Sequence, residues 1–205
     1  YTVKMTKGDQ TYTTQLNVVL DPRAKYTVED RRAQFELVNR LGGLLNHMSW
    51  LVDAIIGVRD GANQGAAKLT AGDPLKPKLT ALANAADKMR GKIVATKEGG
   101  AITGEERLRE YLGDVYGNVN GYDGRPTQEQ VNRTDALARE LEDVVKEFNT
   151  LVSQQVNPLN QQLAAKKLPP IPVISEADWQ KTNLSDGGPA GGGAKPDLSY
   201  VRLGR

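Results

Sequence analysis

The chain contains no cysteine and one histidine in 205 residues. Without thiols it can hold no disulfide, no thiolate metal site and no cysteine nucleophile. With His47 as the lone imidazole, a site built on two histidines is excluded too. Aromatic residues make up 5%, so the stacking platforms that sugar sites use are scarce. Neither sign of charge dominates: 27 Lys plus Arg face 25 Asp plus Glu, a net +2. That balance gives no electrostatic pull toward nucleic acid or an anionic membrane. No apolar run approaches the roughly 18 residues that cross a bilayer, and no charged-then-apolar leader opens the chain. Neither a nucleic-acid partner nor a membrane span is expected.

What the sequence does have is Ala, Leu, Gln, Asn, Lys and Glu, a composition for helices packed by aliphatic side chains. Opposite charges are interleaved, as in Glu140, Glu142, Asp143, Lys146 and Glu147, the pattern of a solvated helix face. Residues 1 to 20 differ. Apolar side chains take alternate positions in Tyr1, Val3 and Met5, and again in Tyr12, Leu16, Val18 and Leu20, with Lys7-Gly8-Asp9-Gln10 between as a tight turn. That predicts a β-hairpin. Two strands alone are marginal in water, so the hairpin either lies on the helices or closes a sheet whose other strands lie elsewhere; the chain opens inside the strand at Tyr1, which favours a truncated sheet. Asp21-Pro22-Arg23 ends it.

Four helical segments follow. Thr27 and Asp30 form a capping box, and Val38, Leu41, Leu45, Met48, Val52 and Ile55 make a seam spaced 3 and 4. Gly42-Gly43 inside it predicts a bend or a close backbone approach. Residues 57 to 77, with four glycines and two prolines, read as a connection. A second helix is predicted from about Lys78, with Leu79, Leu82, Ala86, Met89 and Ile93. Thr103 to Glu106 reads as a second box opening a helix with Leu108, Leu112, Val115 and Val119, stopped by Asn120 to Gly124. Thr127 with Gln130 opens the last helix, in which Pro158 should kink or split the run. Leu168-Pro169-Pro170-Ile171-Pro172 is extended. The expected fold is mainly α: an antiparallel four-helix bundle over residues 24–174, preceded by the hairpin of residues 1–23 and followed by a glycine-rich tail, 175–205, whose ordering its few apolar groups cannot offset. Trp179, Leu184, Leu198, Tyr200, Val201 and Leu203 are its possible anchors.

No constellation converges on chemistry. His47, beside Asn46 and Trp50, is either a base or a half-buried helix-surface imidazole, and no nucleophile elbow accompanies it. Glycoside cleavage needs two carboxylates about 5 to 9.5 Å apart. The candidates are Glu105 with Glu106, Asp114, and Glu142 with Asp143, all spaced like exposed helix charges. Asp114 to Gly117 and Asn118 to Gly124 resemble a calcium loop but lack its regular acidic spacing, and turn chemistry explains them. Arg31-Arg32 and Lys166-Lys167 are isolated basic pairs, and Tyr111, Tyr116 and Tyr122 could form a patch. The sequence assigns no catalytic, cofactor-binding or metal-ligating residue.

Tyr1-Thr2-Val3-Lys4-Met5 followed by Tyr12 to Arg23 resembles the closing hairpin and exit of an Ig-like domain near the C-terminus of large bacterial proteins with BNR (Asp-box) repeats and sortilin-like β-propellers, classed as glycosyl hydrolases. Ala33-Gln34-Phe35, Tyr116-Gly117-Asn118-Val119 with Asp123, Pro126-Thr127, and Leu159-Asn160 with Leu168-Pro169-Pro170-Ile171 are similar to the same family, so the likeness spans about residues 1 to 172. It implies a non-catalytic C-terminal module whose partners are the upstream propeller and Ig-like domains, exported to the periplasm or cell surface. The Ser-x-Asp-x-Gly-x-x-Trp pattern of an Asp box is absent, and no catalytic residue carries over. Two other functions remain open at this level: a hydrolase whose carboxylates meet in a cleft beside Trp50 or Trp179, and an adaptor that forms homo-oligomers through the hairpin edge.

Overall fold

A computed structural model describes residues 1–19, 21–97 and 104–185. The chain is mainly helical, with a two-stranded antiparallel hairpin at its N-terminal end. Strands β1 (Thr2–Lys7) and β2 (Gln10–Gln15) pair from Thr2 with Gln15 to Lys7 with Gln10. Gly8 supplies φ +58° at the first turn position, which a II′ turn requires and a side chain would strain. The helices are α1 (Val28–Ala67), α2 (Leu75–Ile93), α3 (Leu108–Asn120), α4 (Gln128–Leu151), α5 (Asn157–Ala165) and α6 (Glu176–Ser185).

Helix α1 is the axis of the molecule and packs against α2, α3, α4 and α6. Its 40 residues extend about 60 Å at 1.5 Å per residue. Thr27 caps it as the sequence predicts: its Oγ1 accepts from the Asp30 N–H and the Asp30 carboxylate accepts from the Thr27 N–H. Leu41, Leu51, Ile55, Val58, Leu79, Leu82, Ile93, Leu112, Leu137 and Leu163 are fully buried in one continuous core. By length and composition, part of α1 meets the requirement for a membrane-crossing helix, and 44% of that stretch is buried inside the molecule.

The expected connection at 57 to 77 is a correction. The helix runs through Gly57, Gly61 and Gly65 to Ala67, and the link to α2 is only residues 68–74. Each glycine costs about 1 kcal/mol of helix propensity, but three at spacing four make a flat stripe, and other parts of the chain lie on it. A Cβ on Gly61 would stand 2.5 Å from Pro172 Cδ and 3.3 Å from Ile171 Cα, and one on Gly65 3.3 Å from Leu79 Cδ1. The close approach foreseen at Gly42-Gly43 therefore happens further along; nothing lies within 4 Å of a Cβ at either of those two. Pro77 falls within the first turn of α2, where its missing N–H leaves no bond unmade.

The box placed at Thr103 to Glu106 is also corrected. Thr103 lies outside the described residues, and Glu105 and Glu106 precede the helix, which starts at Leu108 with the Glu110 carboxylate accepting from the Arg107 N–H. Thr127 and Gln130 cap α4 reciprocally, as expected. At Pro158 the helical run does not stop. A wider π-helical turn, Val152–Val156, carries α4 into α5, and Pro158 takes a first-turn position there.

Residues 168–175 cross α1 as an extended strap. Asn160 holds it by pairing both backbone groups of one residue: its Oδ1 accepts from the Ile171 N–H at 2.7 Å and its Nδ2 donates to the Ile171 carbonyl at 3.1 Å. The stretch read as tail opens with a helix, since Ser175 Oγ accepts from the Asp178 N–H at the start of α6. The expected anchors Leu198, Tyr200, Val201 and Leu203 lie outside the described residues.

Candidate interaction surface

In an antiparallel pair, opposed residues share a face. The register therefore puts Tyr1, Val3 and Met5 beside Leu16, Thr14 and Tyr12 on one side of the hairpin, with Lys7 and Gln10 at its turn end, and Thr2, Lys4, Thr6, Thr11, Thr13 and Gln15 on the other. One face is apolar and one polar, yet neither is covered: every residue of both strands is exposed, with Tyr1 at 82% and Met5 at 57%. The hairpin contributes nothing to the core.

Further uncovered apolar groups follow in the chain and around the start of α1. Val18 and Val19 are exposed in the link, as are Val28 and Phe35 on the first turns of α1 and Tyr122 after α3. Among the described residues, Val173 is the one large exposed apolar side chain that lies elsewhere. Val28, Arg31, Arg32, Gln34, Phe35 and Val38 line an open groove of about 530 Å³.

Beneath this surface the joint between α1 and the α3–α4 turn is rigidly made. Gln34, buried, donates to the carbonyls of Val119 at 2.9 Å and Tyr122 at 2.5 Å and accepts from Arg31 Nη1 at 2.9 Å. It thereby satisfies carbonyls that the end of α3 leaves unpaired. Arg31 also pairs with Asp123, and Arg125 with Asp30. The Arg125 guanidinium, with the Thr27 N–H, holds the Asp30 carboxyl below its ordinary range. Tyr26 meets Tyr122 edge to face, ring centres 5.5 Å apart. A Cβ on Gly124 would stand 2.6 Å from Tyr122 and 2.8 Å from Tyr26. The loop that resembles a calcium site is thus held by Arg31, Gln34 and ring packing, and no group of three or more acidic or histidine side chains fit to hold a metal occurs among the described residues.

The other sequence candidates are spread out. His47 Nδ1 lies 3.0 Å from Glu176 Oε1, and its ring packs on Trp50. Trp50 Nε1 donates to the Ile174 carbonyl, and Trp179 Nε1 to Asp53 Oδ2 at 2.7 Å. One face of α1, positions 47, 50 and 53, is therefore used to fasten the strap and α6. Glu105 accepts from the Thr96 backbone N–H at 2.8 Å and pairs with Arg107, and these bonds lower its pKa to about 2. That environment stabilises the carboxylate and opposes a general-acid role. Glu106, Asp114, Glu142 and Asp143 are exposed, and Asp143 pairs with Lys146. The buried polar residues among those described are Gln34 and Thr134, neither of them a carboxylate.

Tyr111 lies under Arg133, Tyr116 packs on the core, and Tyr122 meets Tyr26, so the three tyrosines make no joint patch. Lys166 pairs with Asp73, while Lys167 takes φ +58° at the end of α5. Gln34 and Asn160 were not singled out from sequence, because a polar residue on a seam carries no local sign of its distant partner. Ser175-x-x-Asp178 did carry one, the capping signature of α6. No protein-family model, curated protein or solved structure matches the chain.

Proposed function

We propose that the chain is a non-catalytic structural and interaction module. In this reading α1 to α4, with α5 prolonging α4, form an antiparallel four-helix bundle whose apolar stripes are used up on one another, and the bundle holds out the hairpin to complete a sheet in a neighbouring domain. The observation that carries it is that, among the described residues, all the large exposed apolar side chains but Tyr122 and Val173 fall in residues 1–35. Exposed apolar patches of this kind mark interaction sites, and a sheet with one apolar face requires a cover. In this reading the neighbour is the upstream Ig-like sheet that the resemblance to the C-terminal region of BNR-repeat propeller proteins implies, and the module is exported with it to the periplasm or cell surface.

The test has two arms. An apolar fluorescent dye should bind the purified chain and lose most of its signal in Met5→Lys with Tyr12→Lys, while a panel of aryl glycosides should be left intact. Turnover that disappears on Glu105→Gln or Glu142→Gln would overturn the reading in favour of a hydrolase.

A further inference from the structure

The two free edges of the hairpin differ in charge. β1 carries Lys4 and Lys7, whereas the run from Gln10 to Leu20 has no charged residue, no proline and no glycine. Open edges recruit other strands unless charge, proline or a bulge guards them. β1 has that guard and β2 lacks it. Hydrogen-bond parity shows which groups on β2 are free. Tyr1 and Leu16 exchange both bonds, at 2.8 Å each way. Bonded and non-bonded pairs alternate along an antiparallel ladder, so Val3 with Thr14 and Met5 with Tyr12 are bonded pairs as well. The N–H and C=O groups of Thr11, Thr13 and Gln15 consequently point away from β1, along the uncharged edge.

We propose that this edge is a homotypic pairing surface: two copies of the chain join antiparallel through β2 into one four-stranded sheet, with Thr14 on the twofold axis. The proposal rests on the reading of the hairpin end as the interaction end. In this register Thr13 exchanges both bonds with Gln15 of the second copy. Tyr12 stands opposite Leu16 of the second copy, so the apolar row runs on from Met5 and Tyr12 through Leu16 to Tyr1 of that copy. A slip of one residue would place the apolar face of one hairpin alongside the polar face of the other. Pairing through β1 would instead bring the lysines of two copies together. The twofold axis closes the contact through β2 alone. Four strands also pass the size at which a sheet holds without other support.

Because the chain lacks cysteine, one introduced thiol reports alone. Thr14→Cys sits on the axis at a non-bonded pair, where Cα atoms approach about 4.5 Å, and should give a disulfide-linked dimer on oxidation; Thr6→Cys on β1 should not. Light scattering of the native chain should show its mass doubling with concentration. Thr13→Lys, which sets like charges diagonally across the axis, should restore the monomer. A native chain that stays monomeric, a dimer that survives Thr13→Lys, or equal linkage through Thr6→Cys would each overturn the pairing. A monomer that still binds the apolar dye through Met5 and Tyr12 would sink the pairing alone, whereas a monomer that binds none would sink the interaction reading with it.

Discussion

The two ends of α1 are treated in opposite ways. Along its C-terminal half Gly57 and Gly61 admit the strap and Gly65 admits Leu79 and Leu163, while His47, Trp50 and Asp53, nearer the middle, fasten Ile174 and α6. Near its N-terminal end Val28 and Phe35 stay exposed, and the hairpin that precedes it in the chain has a bare apolar face. Closure by the chain itself explains the first end. The second has the same need for cover, and nothing among the described residues supplies it. A surface that the fold leaves open while closing its counterpart so thoroughly is where binding is to be sought.

The sharpest way to break this comparison is to fill the stripe. Gly61→Val puts a branched side chain where Pro172 Cδ lies 2.5 Å from a bare Cβ, and should destabilise by about 3 kcal/mol, the upper range for overpacking. Gly42→Ala, on the same helix but in open space, should stabilise by about 1 kcal/mol. Urea unfolding of both variants measures the difference; equal effects would mean that the strap does not seat on Gly61.

Next in size is the clamp. Asn160→Ala removes the partners of both the Ile171 N–H and its carbonyl. At about 1 to 3 kcal/mol for a buried group left unpaired, the strap should loosen before the core does. Hydrogen exchange would show this as faster exchange at residues 168–175 with α2 unchanged. At the open end, Met5→Lys should leave the melting temperature of the helical body where it was, because the side chain touches none of the core. A shift of several degrees would place the hairpin on the helices and end the contrast.

The contrast also marks what could be read from sequence. Thr27 with Asp30, Thr127 with Gln130, the seam from Leu41 to Ile55 and the hairpin turn at Gly8 are local signals, and the fold honours them. The run from Gly57 to Ala67 was illegible because the gain that offsets its glycines comes from Ile171 and Pro172, more than a hundred residues away. Glu105 misled for a different reason: an acid just before a helix looks like a capping residue until its near neighbours Thr96 and Arg107 take it. Of the candidate surface, the alternation in both strands was legible, but its exposure was not, since period two predicts a buried face and cannot say what buries it.

The smallest effects test whether the closed end is finely built as well. Leu168 N–H bonds to the Leu163 carbonyl and Lys167 N–H to that of Ala164, the pattern that ends a helix on a left-handed residue, usually glycine. Lys167 holds that position at φ +58°, so Lys167→Gly should stabilise by about 1 kcal/mol, read from the denaturation midpoint. Glu105 supplies a companion test in pH. Its pKa falls from 4.5 to about 2 in the folded chain, so it binds its proton more weakly there than in the unfolded chain. Its contribution is whole above pH 4.5 and is lost as the pH drops toward 2. Glu105→Gln should therefore melt lower than the native chain at neutral pH and converge with it near pH 2, whereas a constant gap down to that pH would remove Glu105 from the bonds that join the start of α3 to Thr96.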